Sequence, residues 1–286
     1  MNPQNPIIMG KIVSIVNQKG GVGKTTTAIN LSASLAVLDY KILIVDTDPQ
    51  ANAGSGLGID SKGRKDNMYS ALIGDSDIKD CIVSTQIPNL DVIPSHIDLA
   101  GFELEIVNQV AREYILKDLL HPLKDDYDFI FIDCSPSLGL MVINSIVASD
   151  SVLIPVQCEY FALEGIAKLK DTIDIIKKRL NPDLESEGYV LTMYDGRTNL
   201  SKMVVDDVKS YFTTLCFETI VPRNVKLAEA PSYGLPALLM FTGDKGEEFD
   251  IKFLENKGAI SYIDLAKELL RRNNLPEFKQ ELENAA

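Results

Sequence analysis

Asn17-Gln18-Lys19-Gly20-Gly21-Val22-Gly23-Lys24-Thr25-Thr26 combines glycines, two lysines and two adjacent threonines in one short block. Glycines let a backbone wrap closely enough for its N–H groups to face phosphate oxygens. At this spacing the Lys24 ammonium reaches β- and γ-phosphates and the Thr25 hydroxyl suits Mg²⁺. The block follows an apolar run and opens a predicted helix, whose N-terminus adds a favourable dipole. It departs from G-x-x-x-x-G-K-[ST] at the first position, where Gln18 stands, and it carries a second lysine, Lys19, just before the paired glycines. A glycine-rich turn with solvated lysines is the competing reading; the order strand, loop, helix favours the phosphate site. Three acidic residues belong with it. Asp46 ends the apolar run KILIVD and begins DTDPQ, which also holds Asp48, and Asp133 ends FIFID. In open α/β sheets, ligands bind at the carboxyl ends of strands.

The elements that must position these residues are short, nearly continuous apolar runs at residues 11–17, 41–46, 90–94, 128–133, 151–156, 188–193 and 216–221. Runs without alternation read as strands buried on both faces, hence as a parallel sheet. Helical patterns alternate with them at 25–38, 161–180, 201–215 and 260–272. Ser201 is the expected cap of the third. The fold expected is α/β: one domain with a mostly parallel twisted sheet and helices on both faces.

Composition sets the outer limits. Lys and Arg number 28 against 41 Asp and Glu, a net charge of −13. Nucleic acid or an anionic membrane is therefore not attracted by the protein as a whole, and such binding needs a local basic patch. Cys81, Cys134, Cys158 and Cys216 form no CxxC pair, and His96 and His121 lie far apart. Neither a zinc site nor a disulfide framework is expected. Cys134 and Cys158 read as small buried hydrophobes. No signal peptide or membrane-spanning run is evident, and a cytoplasmic location is expected. The short stretch before the first strand leaves no room for a preceding DNA-binding domain, so operator-specific repression is not expected.

Lys19–Thr26, KGGVGKTT, resembles the signature of the deviant Walker A ATPases, the P-loop NTPase family of ParA/Soj, MinD and the nitrogenase iron protein. Further blocks are similar to chromosomal-type ParA/Soj: DTDPQ at 46–50, DCSPSLG at 133–139 (with Ser135 in place of the usual Pro), PVQCEYFALEG at 155–165, LTMYDGRTNLS at 191–201 and VPRNVKLAEAPSYGLP at 221–236. The resemblance covers roughly 10–240 and resumes near 258. It implies ATP and Mg²⁺ as cofactors and an ATP-sandwich homodimer in which Lys19 reaches the partner's nucleotide. It implies nucleotide contacts along Lys19, Gly20, Gly21, Val22, Gly23, Lys24, Thr25 and Thr26, with Pro222 and Asn224 around the adenine. Asp133 would hold Mg²⁺ through water beside Thr25, and Asp46 would support the metal's shell; a turn-forming role for Asp46 is equally open. Lys19, Lys24 and Asp48 would be catalytic, Asp48 positioning the attacking water.

Three branches of the family compete. A MinD-like membrane ATPase needs a basic amphipathic C-terminal helix, whereas residues 276–286 carry Glu277, Glu281 and Glu283 against one lysine. An iron-protein-like reductase needs bridging cysteines in positions that none of the four occupies. A ParA/Soj partition ATPase needs local positive charge. Resemblance places Arg197 and Lys226 on DNA, with Arg223 and Lys202 extending the patch; Lys226 replaces a common Arg and keeps the charge without the bidentate fork. The expected function is an ATP-dependent dimer that binds non-specific double-stranded DNA on the nucleoid and is released by hydrolysis under a ParB-like partner, without membrane binding. The alternative is a MinD-like ATPase positioning a membrane or protein cargo.

Within this plan, 1–10 is a short extension, 11–275 the ATPase domain and 276–286 a polar tail. Residues 54–80 are expected as a mobile excursion. An acidic insertion of roughly ten residues lies at about 242–256, a length that surface loops tolerate.

Overall fold

The computed structural model describes residues 10–61, 63–160, 162–241 and 255–279. The expected insertion at 242–256 falls outside them apart from its last two positions, as does most of the tail.

The chain runs β1 (Lys11–Ile15), α1 (Lys24–Ala36), β2 (Ile42–Asp46), α2 (Asn52–Gly56), α3 (Met68–Leu72), β3 (Val83–Ser84) and β4 (Leu90–Ile93). It continues through α4 (Leu99–Glu105), α5 (Ile115–Leu120), β5 (Phe129–Asp133), α6 (Leu140–Ala148), β6 (Ser151–Gln157) and α7 (Ala162–Arg179). It closes with β7 (Glu185–Tyr194), α8 (Asn199–Phe212), β8 (Cys216–Pro222), α9 (Val225–Glu229) and α10 (Lys257–Arg272). Among the described residues eight strands form one sheet in the order β3-β4-β2-β5-β1-β6-β7-β8. Every pairing is parallel except the edge pair β3–β4.

Each strand divides its side chains between two cores, as a period of two requires. In β5, Ile130 and Ile132 face a layer built on α5, α6, α7 and α8, where Leu116, Ile146, Leu169 and Val208 are buried. Phe129 and Phe131 face the opposite layer, against Leu31 and Leu35 of α1 and Leu265 and Leu269 of α10. With both faces covered, β2 and β5 are buried along their whole length. That is why they read as unbroken apolar runs.

All seven predicted strands form, with ends shifted by one to three residues. Two readings need correction. The cap of α8 is Thr198, whose hydroxyl accepts from the Ser201 amide; Ser201 lies inside the helix, because the chain turns helical as soon as the Asp195–Thr198 turn closes. Residues 54–80 are not a loose excursion. Met68, Ala71, Leu72 and Ile78 join the first core, and Asn67 and Ser70 complete a capping box at α3. Apolar burial holds that segment against the sheet.

The chain order reverses around β1, between β5 and β6. The ends of β1, β2, β5 and β6 therefore converge on one edge, at the kind of crevice where open α/β sheets bind ligands.

Candidate nucleotide site

The loop from Asn17 to Gly23 joins β1 to α1 and is anchored from three directions. Asn17 Nδ2 donates to the Pro155 carbonyl at 2.8 Å, while its Oδ1 accepts from the Lys19 amide at 2.9 Å. Gln18 Nε2 donates to the Gly165 carbonyl of α7 at 2.8 Å. Thr192 Oγ1, from β7, donates to the Val22 carbonyl at 2.8 Å. Gly21 (φ +73°) and Gly23 (φ +90°) take left-handed conformations that a Cβ would strain. The α1 N-cap is Gly23 itself, with no side chain occupying the helix end. The first-turn amides are thus left to an anion.

Lys24 is buried, and its Nζ donates to the Lys19 carbonyl at 3.2 Å. Burial pushes its pKa down, opposed by the charges of Asp133 and Asp48. A buried ammonium with so few partners gains strongly from phosphate oxygens.

Opposite the lysine stand the acids. Asp46 and Asp133 occupy paired positions at the ends of β2 and β5. Both are fully buried and differ in satisfaction. Asp46 Oδ1 accepts from the Asp48 amide at 3.1 Å, and Oδ2 accepts from the Ala53 and Gly54 amides at 2.9 and 3.2 Å. Burial still raises its carboxyl to about 7, with the charge of Asp48 adding to the rise and the three amides holding it down. These bonds secure a turn in which Ala51, a non-glycine, sits at φ 51°. Asp46 therefore supports Asp48 through the backbone, the turn-forming alternative of the sequence reading. Neither Asp133 oxygen has a partner at full hydrogen-bond geometry, and the Thr25 hydroxyl lies beside it as a donor. Burial, then the charge of Asp46, drives the Asp133 carboxyl well above the usual range, and the neighbouring Thr25 side chain and Lys24 pull against that. Its main-chain carbonyl is engaged, accepting from the Thr47 amide and hydroxyl at 3.1 and 2.8 Å.

An orphaned buried carboxylate beside a threonine hydroxyl is the donor set that suits a hydrated Mg²⁺. Among the described residues no group of three or more His, Cys, Asp or Glu forms a cage for a metal. A cation here would accordingly rest on Asp133, Thr25, water and the phosphates.

Beyond Thr26 a cavity of about 130 Å³ opens between α1 and the ends of β7 and β8, lined among others by Gly23, Met193, Pro222, Asn224 and Leu227. The two residues expected at the base, Pro222 and Asn224, both line it. Asn224 Oδ1 also caps α9, accepting from the Lys226 amide at 2.9 Å. Met193, in a left-handed conformation, was not anticipated, nor were Asn17 and Thr192. Asn17 heads the phosphate-loop block, and its side-chain amide can both donate and accept. Nothing local marks Thr192, because its bond joins residues far apart in the chain.

A family model for the AAA domain matches residues 10–186. The chromosome partitioning protein ParA of Myxococcus xanthus is 51% identical over 93% of this chain and 89% of its own length. The sporulation initiation inhibitor protein Soj of Bacillus subtilis is 51% identical over 91% of this chain and 98% of its own. The chain belongs to the ParA/Soj family. The structure of a cobyrinic acid a,c-diamide synthase of Mycobacterium smegmatis, solved with an ATP analogue and magnesium, is similar with a TM-score of 0.78 at 32% identity, covering 93% of this chain and 96% of its own.

In this ParA/Soj chain the basic residues expected on DNA emerge on the nucleotide edge. Arg197 follows β7, Arg223 follows β8, and the Arg223 amide donates to the Tyr194 carbonyl at 2.9 Å, tying the two ends together. Three of these cations, Arg197, Lys226 and Arg223, face an acid. Arg197 holds Asp195 with two bonds of 2.9 and 2.7 Å, and those bonds keep the Asp195 carboxyl down at about 2. Lys226 lies 3.2 Å from Glu229, and Arg223 lies 3.9 Å from Glu159. Lys202 is exposed on α8. Lys19, the lysine peculiar to this loop, lies 3.0 Å from Glu159. The four cysteines are buried, and burial lifts the Cys134 and Cys158 thiols to about 12. Among the described residues no helix is long and apolar enough to cross a membrane.

Proposed function

We propose that this member of the ParA/Soj family is an ATP-hydrolysing switch that dimerises around ATP, binds non-specific duplex DNA and lets go after hydrolysis. The observation that carries the reading is the pairing of a satisfied Asp46 with an unsatisfied Asp133, opposite a buried Lys24, at the end of a glycine loop.

In this reading the loop amides and Lys24 hold the β- and γ-phosphates, and the adenine enters the cavity beside Pro222 and Asn224. Thr25 and Asp133 would hold Mg²⁺, which neutralises charge on the phosphate oxygens. Asp46 fixes the turn from behind. Asp48 orients the attacking water, taking its proton as the new P–O bond forms and ADP leaves in line. Lys19 completes the partner subunit's site, so that hydrolysis requires the dimer. Arg197, Lys226, Arg223 and Lys202 supply phosphate contacts, doubled in the dimer and therefore strengthened by avidity. A ParB-like partner accelerates hydrolysis, and the dimer resides on the nucleoid within the cytoplasm.

The MinD-like alternative requires a free basic amphipathic C-terminal helix. The apolar side of α10 is spent on the core through Leu265, Leu269 and Leu270, and Glu277 just beyond it faces Lys267 and Arg271. The test is steady-state ATP turnover beside oligomeric state. Wild type is expected to turn over slowly and to dimerise with ATP, Asp48→Ala to dimerise without turnover, and Lys24→Ala to do neither. Turnover that survives Lys24→Ala contradicts the assignment.

A further inference from the structure

Five charged side chains alternate in sign along the rim above β6, β7 and β8. Lys19 Nζ lies 3.0 Å from Glu159 Oε2, and Arg223 Nη2 lies 3.9 Å from Glu159 Oε1. Arg223 also helps to lower the carboxyl of Asp195, which Arg197 grips directly. Glu159 is held in place for this. Gln157 Nε2 donates to its Oε1 at 2.6 Å, which orients Oε2 toward Lys19. On the other side, the bond from the Lys19 amide to Asn17 fixes the root of the lysine. One carboxylate therefore lies between the lysine singled out in the phosphate loop and an arginine singled out on the rim.

We propose that Glu159 is a positioning residue that folds Lys19 back against its own subunit, and gives it up when a second copy of this chain docks with its nucleotide bound. The inference rests on the reading of Lys19 as the residue that completes the partner's site. Lys19 and Glu159 are each about half exposed, at 46% and 45%. An ion pair of that kind biases an equilibrium by about two- to fivefold. That bias is small enough for a triphosphate, with several negative charges, to overcome. It is large enough to matter when a symmetric dimer must open two such latches. Lys19 is thereby kept from wandering into its own site. Glu159 also places a negative charge beside Arg223, so its loss strengthens the basic rim.

The test measures dimerisation by sedimentation against protein concentration, with a non-hydrolysable ATP analogue bound. Glu159→Gln, which keeps the shape and removes the charge, is expected to dimerise at about four- to twenty-fivefold lower protein concentration than wild type, one latch being released in each subunit. Glu159→Asp, which keeps the charge, is expected to stay close to wild type. Affinity of the monomer for ADP serves as the readout that a merely structural role would move, and it is expected to be the same in all three. Dimerisation of Glu159→Gln at the wild-type concentration or above overturns the latch. Lys19→Ala separates the two layers. If it is monomeric while Glu159→Gln behaves as wild type, the latch alone falls. If Lys19→Ala dimerises as wild type does, the reading of Lys19 falls and the latch with it.

Discussion

Asp46 and Asp133 sit side by side at the ends of adjacent parallel strands, and three backbone amides satisfy one while the other has none. The same residue type in the same layer thus meets two different surroundings. Asp46 shapes the chain that carries Asp48. Asp133 keeps open lone pairs in a dry place, a costly arrangement that a bound cation would relieve.

That cost predicts a trade of stability against function. Asp133→Asn removes a carboxyl whose charged form burial and the neighbouring Asp46 disfavour. The nucleotide-free protein is expected to gain about 1–3 kcal/mol in denaturant unfolding. The extra stability that ATP with Mg²⁺ confers on wild type is expected to disappear. A variant less stable than wild type without nucleotide would contradict the view of Asp133 as an unsatisfied carboxylate.

Asn17 is predicted to matter for affinity. Its two side-chain bonds join the loop to β6 and to the Lys19 amide. Asn17→Ala frees the loop and is expected to weaken ADP binding by about 1–2 kcal/mol, roughly tenfold, as measured by calorimetry. Unchanged affinity would mean that the loop holds its shape without this anchor.

Glu268 supplies a pH signature remote from the site. It is buried, which alone would raise its pKa. The Thr219 hydroxyl, the amides of Glu218 and Thr219, and Arg272 outweigh that and hold the carboxyl below its ordinary value. A depressed folded pKa contributes stability above the unfolded value near 4.5 and loses it as pH falls through the lower folded value. Glu268→Gln is expected to cost about 1–3 kcal/mol at pH 7. Its difference from wild type should shrink as pH drops below about 4.5 in urea unfolding. A pH-independent difference would assign the loss to packing.

Much of this was legible in the residues because the relevant signals are local. The phosphate loop is contiguous, and the strands buried on both faces announce themselves as unbroken apolar runs. Asp46, Asp48 and Asp133 are marked by lying at the ends of such runs. What escaped depends on juxtaposition across the sheet. Thr192 touches Val22 and Glu159 touches Lys19 only because β6 and β7 lie beside β1 in the sheet order. The edge strand β3 has two residues, too few for a pattern. Residues 54–80 misled because Met68, Ala71 and Leu72 bury a helix of barely more than one turn, shorter than any periodicity can report.

The proposed function requires a nucleotide-gated grip on DNA by a locally basic rim on a protein of net charge −13. Arg197 is largely exposed, so Arg197→Ala is expected to leave stability within about 0.5 kcal/mol of wild type. The most direct measurement is binding of Asp48→Ala to random-sequence duplex across a salt series, with ATP and with ADP, alone and combined with Arg197→Ala. Binding is predicted with ATP only, falling steeply with salt and lost with Arg197→Ala. An ATP dimer that ignores DNA at low salt, or one that binds equally with ADP, would contradict it.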